Sequence, residues 1–84
     1  MANGILLRQI AVTATFQPLG GNEVFTVDVS CPPTNSGPVY FKVGDQPEVP
    51  WIASEWHNFV RIKLKDVFVR GTPGDVVSLV GGTW

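Results

Sequence analysis

At 84 residues, with a formal net charge of −1 and 15% charged side chains, the chain is short and close to neutral. That length bounds it to a single domain over residues 1–84, which removes only ~60–65% of its unfolded surface from water and has a thin margin of stability. The near-neutral charge argues against a nucleic-acid binder, whose affinity comes largely from phosphate neutralisation, and the lone Cys31 excludes an internal disulfide.

A lone cysteine fits assembly in a reducing compartment better than a secreted disulfide scaffold. No Cys and His cluster at zinc spacing, so no metal or cofactor is expected. Self-association, or docking on a larger partner, is then the expected source of extra burial. The charged fraction also falls well below the roughly 25% of ordinary soluble domains, as suits a surface that is covered. Met1-Ala-Asn-Gly-Ile-Leu-Leu-Arg8 lacks a basic region followed by a long apolar run, so no signal peptide is read there. No apolar run reaches ~18 residues, so no membrane span is expected.

In chain order, period-two alternation dominates. Ile10, Val12, Ala14 and Phe16 alternate with Ala11, Thr13 and Thr15 and predict a first strand. Pro18–Asn22 is the first connection. Phe25, Val27, Val29 and Cys31 predict a second strand whose buried face ends in an inert thiol. Pro32–Pro38 connects it to Val39, Phe41 and Val43. Pro47 and Pro50 remove two backbone donors, so residues 44–58 are expected to be one long loop. Val60, Ile62 and Leu64 predict the inward face of the next strand, and Val67–Arg70 and Val76–Val80 are short β-branched and aromatic runs. Nine glycines and seven prolines, about one strand apart, leave no window for a long helix. The fold expected is all-β, a small antiparallel β-sandwich or jelly roll of six to eight strands.

Residues that carry chemistry are sparse. The only imidazole is His57, in Glu55-Trp56-His57-Asn58, where Glu55 is placed to orient it; a polar rim residue is the expected reading. Asp45, Glu48 and Glu55 lack the alternate-residue spacing of a calcium loop. Gly71-Thr-Pro-Gly74 lacks the Lys-Ser/Thr of a phosphate loop and a following helix, and reads as a turn. Arg61, Lys63 and Lys65 form a basic row, solvated or meeting an acidic protein surface. With no nucleophile and oriented base legible, the chain is not expected to be an enzyme.

The surplus apolar groups carry the functional reading. Tyr40, Phe68, Val76 and Val80 lie on the opposite parity from Phe41, Val67, Val69, Val77 and Leu79. A domain this small has no room for two cores, so a protein interface is expected, and interfaces favour large aromatics. Trp51 and Trp56 are expected at a contact with a neighbouring chain; the alternatives are a sugar-stacking platform and a cap on an open end of the sandwich. Trp84 is expected to anchor the tail. The interface candidates are therefore Tyr40, Trp51, Trp56, Phe68, Val76 and Trp84.

Three segments, Pro33-Thr-Asn-Ser-Gly-Pro-Val-Tyr-Phe41, Leu64-Lys-Asp-Val-Phe-Val-Arg-Gly71 and Gly74-Asp-Val-Val-Ser-Leu-Val80, resemble small all-β structural proteins of tailed bacteriophages and prophages. The likeness covers residues 33–84; Lys65 and the tryptophan-rich middle stretch depart from the pattern. It implies a virion component assembled in the host cytoplasm, such as a head decoration or cement protein. Its implied partners are the major capsid protein and copies of itself in a homotrimer, with neither nucleic acid nor membrane. The competing class is a tail or fibre-associated module reading host glycans through Trp51 and Trp56, and a tail or connector subunit is a third.

Overall fold

In the computed structural model, which describes residues 4–83, the alternating runs form eight strands. They are β1 (Ile5–Ala11), β2 (Gln17–Pro18), β3 (Val24–Ser30), β4 (Val39–Val43), β5 (Val49–Trp51), β6 (Trp56–Lys63), β7 (Val67–Arg70) and β8 (Val76–Gly82). A three-residue 3-10 turn at Leu64–Asp66 separates β6 from β7. The strands make two four-stranded sheets, ordered β1-β8-β3-β6 and β2-β7-β4-β5, and every strand pair among the described residues is antiparallel.

The order has a simple origin. β1 pairs with β8, β2 with β7, β3 with β6 and β4 with β5. The chain is thus one long two-stranded ribbon, folded over so that successive segments fall in opposite sheets. This is the topology of a jelly roll. The inward residues meet as the alternation predicts: Val27, Val29, Val77 and Leu79 from one sheet face Val39, Phe41, Val67 and Val69 from the other, all buried.

Three expectations are corrected. The first strand runs over Ile5–Ala11, not from Ile10 to Phe16. Beyond Val12 the chain crosses between sheets through a turn in which Thr13 Oγ1 accepts from the Thr15 N–H at 3.3 Å and donates to the Thr15 carbonyl at 2.9 Å. Residues 44–58 are not one loop, because Val49–Trp51 pairs with β4 and β6 begins at Trp56. Pro50 is tolerated there because β5 is an edge strand, whose outer side needs no donor. Val60 points outward instead of inward. The β3–β6 register shifts between Phe25 and Val27, and Arg61 has a positive φ of 53°. This bulge places Phe59 and Ile62 against the core and leaves Val60 in solvent.

Two local devices hold the layers together. The Asn35 side chain brackets the start of β8, accepting from the Val76 N–H at 3.0 Å and donating to the Val76 carbonyl at 2.9 Å. Beside it the buried Asp75 carboxylate accepts from the backbone N–H groups of Ser36 and Gly37, at 2.8 and 3.1 Å, and from the Ser36 hydroxyl. Gly81 is a different constraint: a Cβ there would run into the Thr26 carbonyl oxygen and lie 2.7 Å from Val27 Cα.

These contacts set three measurable outcomes. Asn35→Ala strands the Val76 backbone groups and is expected to cost about 2 kcal/mol in denaturant unfolding, at about 1 kcal/mol per bond. Gly81→Ala forces β8 off β3 and is expected to cost ~3 kcal/mol. The hydrogen bonds from Ser36, then Gly37, hold the Asp75 carboxyl below its ordinary pKa. Its contribution is therefore present above an unfolded value of about 3.9 and lost as pH falls through the folded value. Asp75→Asn is expected to lower stability at pH 7 and to flatten the loss of stability below about pH 4. Urea unfolding of both proteins across that range reads the difference.

Candidate docking surface

The register places three rows across the outward face of the β1-β8-β3-β6 sheet. Gln9, Ser78, Ser30 and Trp56 form one row, and Leu7, Val80, Asp28 and Asn58 the next. Ile5, Gly82 and Thr26 form the third, with Val60 beside it on the bulge. Ile5 is 78% exposed, Leu7 74%, Val60 65%, Trp56 61% and Val80 52%. The single ionisable side chain in these rows is Asp28, and the Asn58 amide donates to it at 2.7 Å. The remainder is hydroxyl, amide, glycine and hydrocarbon. Such a face has little to lose by dehydration, and its one carboxylate, Asp28, already accepts from the Asn58 amide.

The outward face of the other sheet differs. Tyr40 lies opposite Arg70, and Phe68 opposite Lys42. The Lys42 ammonium sits 4.6 Å from the Phe16 ring centre and 6.0 Å from that of Phe68. The Arg70 guanidinium lies 4.4 Å from the Tyr40 ring centre and 5.4 Å from that of Phe16. Its Nη2 and Nε also donate to the Glu48 carboxylate, at 2.7 and 3.1 Å. The aromatic rings here are already covered by cations. Tyr40 and Phe68 are half-buried members of a closed cation–π ladder, whereas Val76 is half-buried on the outward side of the β1-β8-β3-β6 sheet.

Trp51, expected at a contact, is buried at 5% exposure. It stacks on Phe41 with ring centres 3.7 Å apart, meets the His57 ring at 4.6 Å and faces Phe59 at 6.2 Å. It closes the open side between β5 and β6. A groove of about 430 Å³ remains there, lined by Phe41, Val43, Trp51, Phe59 and Val67 with His57 and Asn58 on its rim. The expectation at Trp84 lies outside the described residues.

The acid–base candidates form a structural tie. Glu55 Oε2 lies 2.6 Å from His57 Nε2, and Glu55 Oε1 accepts the Ile52 N–H at 3.1 Å. The His57 bond first, then the Ile52 bond, hold the Glu55 carboxyl below its ordinary pKa. The pair pins the turn between β5 and β6 over Trp51. Cys31 lies in the core. Burial first, then the Glu55 and Asp75 charges, push its thiol up to about 11. Among the described residues, no group of three or more His, Cys, Asp or Glu is placed to hold a metal, and no helix is long and apolar enough to cross a membrane. No family model, curated protein or solved structure matches the chain.

Reading the sequence by parity missed Ile5, Leu7 and Val60 as surface residues. The run Ile5-Leu6-Leu7 is apolar at every position and so hides its period, while the bulge reverses parity at Val60. Cys31 yields a direct check on the core. A maleimide reagent at about pH 8 is expected to leave it unlabelled in the native protein and to label it in denaturant, because the thiolate is the reactive form.

Proposed function

We propose that this chain is a non-enzymatic virion structural protein. On this reading it is a decoration or cement protein that lies flat on the head shell of a tailed phage and binds it through the outward β1-β8-β3-β6 face. The observation that carries the reading is the composition of that face: Ile5, Leu7, Val60, Trp56 and Val80 exposed, with Asp28 the lone charge in its three central rows and Lys63 on the outer row opposite Val24. A patch of that kind on so small a protein fits a protein surface better than open solvent. The resemblance of residues 33–84 to phage structural proteins supplies the shell as the partner. The Asn35 and Asp75 clamp ties two of the resembling segments to each other.

Holding a shell together needs no catalysis. It needs many copies, each weak alone, acting at once on subunits fixed in a lattice, so that effective concentration replaces single-site affinity. Burying the exposed part of Trp56, about 150 Å² of a ~250 Å² side chain at 61% exposure, supplies up to ~4 kcal/mol per copy before ordering costs. The competing glycan reading calls for two presented tryptophans, and Trp51 is stacked inside the core while Trp56 is exposed.

Co-sedimentation with purified empty shells, set against a glycan array, tests the proposal. Trp56→Ala and Val80→Lys are expected to weaken shell attachment by about tenfold or more each while keeping the β-sheet spectrum, in line with loss of an aromatic anchor and of an apolar contact on the face. Attachment unchanged in both variants, or glycan binding that depends on Trp56, would overturn the reading.

A further inference from the structure

We propose that two copies of the chain pair through β1, antiparallel about a two-fold axis at Leu7, joining their β1-β8-β3-β6 sheets into one continuous sheet. The inference rests on the strand edges and stands apart from the identity of the shell.

The two sheets have four edges, and three are blunted. β2 is two residues long and ends in Pro18. β5 is three residues long and has Pro50 at its centre. β6 is longer, but it carries the Val60–Arg61 bulge with Arg61 and Lys63. Short strands, proline, bulges and edge charges are the devices that keep sheet edges from pairing. β1 has none of the first three: it is seven residues, regular and free of proline, with Arg8 its one charge.

The backbone of β1 shows which groups are left over. The Gly4 carbonyl accepts from the Thr83 N–H at 3.0 Å, and the Val12 N–H donates to the Asp75 carbonyl at 3.0 Å. In an antiparallel ladder this role alternates, so even-numbered residues bond to β8. The N–H and C=O groups of Ile5, Leu7 and Gln9 therefore point to the free side, where β1 has no neighbouring strand among the described residues.

A two-fold axis at Leu7 fits those groups to themselves. Leu7 exchanges both bonds with Leu7 of the second copy, and Ile5 exchanges both with Gln9, in each direction. Moving the axis to Arg8 sets Arg8 against Arg8 and calls on the Ala11 carbonyl, which already accepts from Gln17 Nε2 at 2.7 Å. Moving it to Leu6 shortens the paired stretch among the described residues to Ile5–Leu7. With the axis at Leu7, Arg8 lies opposite Leu6, and the exposed Ile5, Leu7 and Val80 of the two copies merge into one strip. This self-complementarity selects a second copy as the occupant. It yields pairs, so a three-fold ring would need another contact.

Sedimentation velocity of the full chain over a concentration series, with Leu7→Pro beside it, tests the pairing. The Leu7 N–H faces the free side, so proline removes no bond within the chain. Concentration-dependent dimers are expected for the natural chain, with a dissociation constant raised about a hundredfold by Leu7→Pro. Air oxidation of Leu7→Cys is expected to give a cross-linked dimer, since facing Cα atoms lie about 5.5 Å apart, and Arg8→Cys is expected not to. A natural chain that stays monomeric at ~1 mM, a mass that Leu7→Pro does not change, or equal cross-linking at both positions would overturn the pairing.

Discussion

The fold depends on the hydrogen-bonded knot at one end of the ribbon, centred on the start of β8. Four connections cross there from the β1-β8-β3-β6 sheet to the β2-β7-β4-β5 sheet or back, over residues 12–16, 31–38, 52–55 and 71–75. Val12 donates to the Asp75 carbonyl, and Gly71 to the Thr13 carbonyl, tying the first crossing to the last. The Asp75 carboxylate holds Ser36 and Gly37, tying the last to the second. Ser54 donates to the Cys31 carbonyl, and Cys31 to the Glu55 carbonyl, tying the second to the third. Hydrophobic burial is non-directional and cannot by itself fix how two sheets sit on each other. These directed bonds can.

The knot also accounts for the placement of the charges. Asp75 is a buried carboxylate with its oxygens occupied by donors, the arrangement in which a buried charge is tolerated. Glu55 does the same work at the next crossing, through Ile52 and His57. With these acids spent on turns and Glu48 on Arg70, little charge is left for the β1-β8-β3-β6 face. The two outward faces thus differ in kind. One is closed by its own cations, and the other presents hydrocarbon and hydroxyl groups with Asp28 in their midst and Lys63 at its β6 edge.

Most of the architecture was legible because alternation needs only local information. Phe25, Val27, Val29 and Cys31 are buried as their spacing requires, as are Phe41, Val67, Val69, Val77 and Leu79. What escaped depends on partners distant in sequence. The bulge opposite Thr26 reverses the parity of Val60, the crossing at Thr13–Thr15 cuts short an alternation that continues to Phe16, and Pro50 sits in a strand only because that strand is an edge. Trp51 illustrates the limit for the site. Its size argues for burial against something, but only the stacking on Phe41 shows that this something lies in the same chain. The Asn35 and Asp75 contacts span about forty residues, so no window of the sequence holds both partners.

The open edge and the charge-poor face are consequences of one design choice. A jelly roll leaves two edges on each sheet, and each edge is either blunted or used. Proline serves for β2 and β5 and a bulge with basic residues for β6, and each device disturbs the residues next to it. β1 borders Ile5, Leu7 and Val80, the most apolar part of the outward face. A proline or bulge placed there would roughen the surface proposed to lie on a flat lattice. Leaving β1 regular keeps that part of the face free of a bulge, at the risk of indiscriminate pairing. The Arg8–Arg8 clash at one neighbouring register, and the Ala11 carbonyl already taken by Gln17, limit that risk. The same residues thereby shape both the outward face and the edge proposed to pair.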